Sequence, residues 1–254
     1  MRAAVSRLTR RYRGEANLDE RMRFYLASRK ILSVRIAQQI GCDAALEPIG
    51  TMYTHGFNIL LTRQSSFARL RFTLAHEICH TFFYEFVPDV KFLPHEIDAT
   101  EERLCDFGAA ELLMPASPVQ KTATDYPICI QSLRVLAEQF SVSVAAMFLR
   151  LRSLRLWNCV LSEWHRMLNG QFQLSNFYGG KRLPWEWEDP SILSYAWQSQ
   201  KSSFGRTFVR HEGEQGQRFY FPARFEVQRV GNRILSLWGA QIERPNCPSP
   251  LFDS

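Results

Sequence analysis

An α+β fold is predicted by three features of this chain. A strand-like run at residues 57–62 precedes two helix-patterned segments, a pair of apolar-periodic helical pieces occupies 133–156, and the stretch after Trp157 is punctuated by hairpin signals. With 254 residues the chain can bury a substantial core, and its length suggests one or two domains plus accessory elements. Its 46% hydrophobic and 22% charged residues read as globular and soluble, and no uncharged apolar run approaches bilayer length. Nothing resembles a secretory signal, so the expected compartment is the cytoplasm.

Taken in order, Arg2, Arg7, Arg10, Arg11 and Arg13 precede the first acid, Glu15. Such a basic start fits a frayed soluble tail (1–14) better than a nucleic-acid arm or a transit peptide. Residues 15–41 read as helical, with Leu18, Met22, Tyr25, Leu26 and Leu32 on one face and Gly41 as the stop. Phe57-Asn58-Ile59-Leu60-Leu61-Thr62 is the expected sheet strand.

Residues 71–84 then carry the decisive pattern, His76-Glu77-Ile78-Cys79-His80. Phe72, Ala75, Cys79, Phe82 and Phe83 recur at helical spacing, so this segment is a helix. Residues four apart share a helix face, so His76 and His80 can offer two imidazoles to one ion while Glu77 projects beside them. That is the H-E-x-x-H arrangement of zinc peptidases, in which Glu is the general base. A core helix with two satisfied histidines would give no reason for the pair to flank a Glu.

Catalytic zinc sites usually have three protein ligands and one open position. The nearest source of a third is Glu101-Glu102-Arg103-Leu104-Cys105-Asp106, opening a helix that ends near Pro115. Glu102 and Asp106 lie on one face. One can bind the ion while the other orients a histidine through its second nitrogen. Cys79 and Cys105 are candidates to lie near the ion and compete for it. All six cysteines are scattered without a C-x-x-C pair, which favours free thiols in a reducing compartment.

These pieces resemble one family, the ImmA/IrrE metallopeptidases. Residues 71–80 resemble its R-F-T-x-A-H-E-x-x-H segment. Glu102-Arg103-Leu104-Cys105-Asp106, followed by Ala109-Ala110-Glu111-Leu112-Leu113-Met114-Pro115, is similar to its E-x-x-(A/C)-(N/D)-x-F-A-A-E-L-L-M-P. Leu136-Ala137-Glu138-Gln139-Phe140-Ser141-Val142-Ser143 resembles its helix-turn-helix-like segment. The resemblance covers roughly residues 56–156. It implies a zincin-like core with a small mixed sheet, zinc ligands His76, His80 and Glu102, and Glu77 as general base. Manganese could substitute at such a His/His/carboxylate site. It also implies a protein substrate, a helix-turn-helix repressor cut at one site to release stress-response or mobile-element genes. Gly108 stands where the family usually has Phe, beside Phe107, which leaves Glu101 as a fallback ligand; Cys79 stands where relatives commonly carry Gly. The oxyanion donor is not identified, and Tyr84 and His95 are the candidates.

The expected organisation is a peptidase domain over 1–118, a helix-turn-helix-like segment over 119–156, and a β-rich domain over 157–254 with a sensing or docking role. In the middle segment the second helix, Val144-Ala145-Ala146-Met147-Phe148-Leu149-Arg150, is poor in base-reading side chains. Packing is therefore the better reading, although Arg150, Arg152 and Arg155 could still touch phosphate. Beyond it, Asn169-Gly170 and Gly231-Asn232 signal hairpins. Five of the six tryptophans lie between 157 and 197, and Trp185-Glu186-Trp187 reads as core rather than as a ligand pocket. The tail 245–254 is rich in Pro and Ser. A DNA-associated regulator using the peptidase core as a scaffold is the alternative function.

Overall fold

The computed structural model describes residues 2–11, 18–38, 41–50, 55–63, 66–85, 99–179, 191–212, 218–239 and 242. The chain divides into two compact units, 1–119 with 137–143 and 120–136 with 144–254. His95, Trp185, Trp187 and the tail 245–254 lie outside the described residues.

In the first unit, α1 (Arg2–Arg11) buries Ala4, Val5 and Leu8 and leaves Arg7, Arg10 and Arg11 exposed. The basic start expected as a frayed tail is thus helical from Arg2, because three apolar residues at helical spacing find a surface to cover. α2 (Leu18–Ser28) stops well before Gly41; Lys30 turns the chain at φ 55 and β1 (Ile31–Ala37) follows. The helix expected to run through 15–41 is therefore corrected. Ile31, Val34 and Ile36 are β-branched and pack better on a pleated surface than against a preceding helical turn.

β2 (Ala44–Pro48) and β3 (Phe57–Thr62) complete a three-stranded sheet of order β1-β3-β2. β3 is central, parallel to β1 and antiparallel to β2, so the sheet is small and mixed, as expected. Phe57, Ile59 and Leu61 are buried, while Asn58, Leu60 and Thr62 between them are partly exposed. That period-2 pattern leaves one face to be covered. α3 (Phe67–His80) packs on β2 and β3, and α4 (Ala99–Leu113) packs on both α3 and α1.

α5 (Ala116–Ala123) follows Pro115, and then α6 (Ile130–Gln139) and α7 (Val144–Ser153) meet at 99°. This angle lies in the range of helix-turn-helix pairs. Leu133, Leu136, Phe140, Phe148 and Leu151 are buried, as their spacing predicts. Arg150 is buried as well, and Arg152 donates to the Cys159 carbonyl, so only Arg155 of the basic trio is exposed. Among the described residues no single helix is long and apolar enough to cross a membrane.

The second unit is built on an antiparallel sheet of order β5-β4-β8-β7-β6. Its strands are β4 (Val160–Arg166), β5 (Phe172–Tyr178), β6 (Ser203–Glu212), β7 (Arg218–Val230) and β8 (Arg233–Gly239). Helix α8 (Ser191–Ser199), inserted between β5 and β6, packs on β7 and β8. There Leu193 and Ala196 join Trp164, Phe225, Val227, Ile234 and Trp238 in one core. Fully buried Ser236 receives both the Trp164 and Trp238 indole N–H groups at 2.9 Å and lies 3.0 Å from the Ser162 hydroxyl. Glu226, one residue from both Phe225 and Val227, points to the opposite face. Its Oε2 accepts the Ile130 N–H at 2.6 Å, tying the start of α6 to the sheet.

Both hairpin signals are realised. Val230 pairs with Arg233 across Gly231-Asn232, and Gly231 has φ 61, as the first position of a two-residue II′ turn requires. The first hairpin is longer than its Asn-Gly signal suggests. The Met167 N–H bonds the Gln171 carbonyl, and Gly170 takes the left-handed position (φ 84) at the end of a three-residue loop.

Candidate metal centre

Local rules fix the helix that carries the motif. Ser66 caps α3, its hydroxyl accepting from the Arg69 N–H at 3.2 Å. At the other end the Arg29 guanidinium donates to Thr81 Oγ1 and to the Thr81 carbonyl, both at 2.8 Å, and stacks 4.0 Å over the Phe82 ring. A cation at a helix C-terminus satisfies carbonyls and complements the dipole. His76 and His80, one turn apart, stand with ring centroids 4.9 Å apart.

α4 supplies carboxylates to both rings. Asp106 Oδ1 lies 2.9 Å from His76 Nδ1, and Glu101 Oε1 lies 2.8 Å from His80 Nδ1. The remaining nitrogens face one residue. His76 Nε2 is 3.1 Å from Glu102 Oε2, and His80 Nε2 is 3.4 Å from Glu102 Oε1. A carboxylate on Nδ1 holds the neutral tautomer protonated there and leaves the Nε2 lone pair for an ion. The donor set thus suits a divalent metal of the zinc class: two imidazole nitrogens and a carboxylate within one small volume.

Cys105 forms a second possible grouping, its Sγ lying within 4.8 Å of donor nitrogens of His76 and His80. The two groupings differ in solvent access. Cys105 is fully buried, and burial pushes both its thiol and that of Cys79 far up, so neither readily becomes the thiolate that binds metal. The Glu102 side chain is 46% exposed, which leaves a water-accessible side.

Glu77 is 8% exposed, and burial, followed by the charge of Glu102, raises its carboxyl from 4.5 to about 7. A base poised near neutrality is matched to proton transfer at physiological pH. Tyr84 is a core residue, its ring 5.1 Å from that of Phe57. The sequence pointed to one orienting carboxylate; that two histidines each need an acceptor was the signal available for the second, Glu101, otherwise considered only as a fallback ligand.

An α+β domain that sets a histidine-bearing helix against a carboxylate-bearing helix is compatible with a metallopeptidase core. The model of the IrrE N-terminal-like domain matches residues 37–152, and this stretch is similar to that domain, which supports a metallopeptidase of the ImmA/IrrE type. None of the curated proteins compared matches it. Among solved structures it is similar in fold to a Mycobacterium tuberculosis transcriptional regulator, with TM-score 0.52 and 11% identity over 93% of this chain and 74% of that one.

Proposed function

We propose that this chain is a zinc-dependent endopeptidase that cleaves a protein substrate, a helix-turn-helix repressor, at a specific site. His76, His80 and Glu102 would hold the ion, and Glu77 would act as general base. The observation that carries this reading is the division of labour around the imidazoles: each Nδ1 has its own carboxylate, and both Nε2 atoms face Glu102. When bound, zinc would supply Lewis acidity, and manganese could stand in at the same donors. Glu77 would accept a proton from the attacking water and pass it to the departing amine, a role its raised carboxyl suits. Glu102 is preferred to Cys105 as the third ligand because its side leaves room for water and a peptide. β2, an edge strand packed against α3, is where an extended substrate would add as a further strand.

The test is incubation of the purified chain with candidate repressors, with and without chelator. One zinc per chain and cleavage lost in Glu77→Gln with metal retained are expected; a zinc-loaded chain that cuts none of them counts against the reading. The regulator likeness and the 99° helix pair favour a second reading, DNA association. It predicts salt-sensitive DNA binding that survives Glu77→Gln. With Arg150 buried and Arg152 bonded to the Cys159 carbonyl, that reading retains only Arg155 of the basic trio on the surface.

A further inference from the structure

We propose that Glu101 is the principal positioning residue of the metal centre: it fixes His80 for metal binding and contributes more to metal affinity than Asp106 does through His76. The inference rests on the ligand set proposed above and goes beyond it, since it assigns unequal weights to two carboxylates with similar hydrogen-bond lengths.

The argument is one of solvent competition. Glu101 to His80 is 2.8 Å and Asp106 to His76 is 2.9 Å, so length does not separate them. Exposure does. The side chains of His80 and Glu101 are 8% and 19% exposed, whereas those of His76 and Asp106 are 14% and 61% exposed. Water competes for an exposed carboxylate and screens its charge, and such surface pairs contribute little. A carboxylate withdrawn from water has fewer alternative partners, so its bond to an imidazole N–H is the stronger of the two. Glu101 also sits in the first turn of α4, where the helix dipole favours a negative charge. This carboxylate is the acceptor that His80 Nδ1 meets at 2.8 Å. Losing it would free the His80 ring to take the other tautomer, in which Nε2 carries a proton and cannot bind metal.

The test uses the full chain stripped of metal, with zinc affinity read by competition against a chromophoric chelator. Glu101→Leu removes the acceptor, Glu101→Gln keeps a neutral one, and Asp106→Leu and Asp106→Asn are the matched pair. Loss of an orienting partner of this kind typically costs about 10–100-fold in metal affinity. Glu101→Leu should fall in that range, Glu101→Gln between it and the parent, and Asp106→Leu within about tenfold of the parent, on the low side expected of an exposed partner. If Glu101→Leu does not fold by circular dichroism, the Gln and Asn variants carry the comparison, with the larger loss expected in Glu101→Gln. Equal losses at the two positions, or a larger loss at Asp106, overturn the proposal.

A metal-free readout separates this proposal from the reading it rests on. Imidazole nitrogen NMR should show His80 protonated on Nδ1 to a larger extent in the parent chain than in Glu101→Leu, where the Glu102 carboxylate facing Nε2 is left to draw the proton. An unchanged tautomer sinks the positioning role even where zinc binds. A parent chain that shows the tautomer yet binds no zinc sinks the ligand set instead, and the affinity ranking with it.

Discussion

Replacing Glu77 by Gln should make the metal-free protein more stable at neutral and alkaline pH. The carboxyl is 8% exposed, and its value in the folded chain is raised from 4.5 to about 7. The folded state therefore binds this proton more tightly than the unfolded state does. The contribution of Glu77 to stability is then fully present below about pH 4.5 and is lost as pH rises through about 7. A difference of roughly 2.5 units, at about 1.36 kcal/mol each, corresponds to a penalty of about 3 kcal/mol once Glu77 is ionised. Gln carries no such charge, so other titrating groups largely cancel when the two proteins are compared. The assay is urea denaturation of both, stripped of metal, at about pH 5 and about pH 8.5. The advantage of Glu77→Gln should grow by about 2–3 kcal/mol between them. Added zinc should shrink it by attracting the carboxylate of the parent. An advantage that stays flat with pH would refute the claim that burial holds this group protonated.

Three further outcomes follow from the geometry. Glu102→Gln should weaken zinc binding by at least tenfold in a chelator competition while leaving the circular dichroism spectrum unchanged, because both Nε2 atoms lose their shared carboxylate partner. Ser236→Ala should cost about 1–3 kcal/mol in urea denaturation, since two buried indole N–H groups lose their acceptor. Glu226→Leu should also destabilise the chain by about 1–3 kcal/mol despite removing a buried carboxylate, because the Ile130 N–H and the Ser202 hydroxyl are orphaned. Equal stability of Glu226→Leu and the parent would show that this bond does not hold the start of α6.

How much of this was legible in the sequence depended on whether the signal was local. The strand at Phe57–Thr62 and the motif helix were readable because residue alternation and helical spacing are properties of neighbours. β1 was not, because Leu18, Met22, Tyr25, Leu26 and Leu32 continue a plausible helical stripe across Lys30, and only parallel pairing with β3 breaks it. α8 was hidden by the tryptophans and hairpin signals around it, although Ile192, Leu193, Ala196 and Trp197 recur at helical spacing. α1 looked like a tail because its arginines outnumber the three apolar residues that seat it. At the site, the carboxylate-bearing helix α4 was legible from the acidic cluster at residues 101–106. Which acid meets which nitrogen depended on the packing of two helices that the sequence places some twenty residues apart.

The parallel pairing of β1 also bears on where the domain can be cut. The family match opens at residue 37, the last residue of β1, so a fragment trimmed to those borders would discard nearly the whole strand. β3 would change from the middle of the sheet to a raw margin, its row of amide and carbonyl groups open to any neighbouring chain. Such a fragment should clump at concentrations where the intact protein stays monodisperse, and extending it upstream to take in Ile31 should cure it. The strand Ile31–Ala37 is, in that sense, part of the three-stranded sheet rather than an appendage to it.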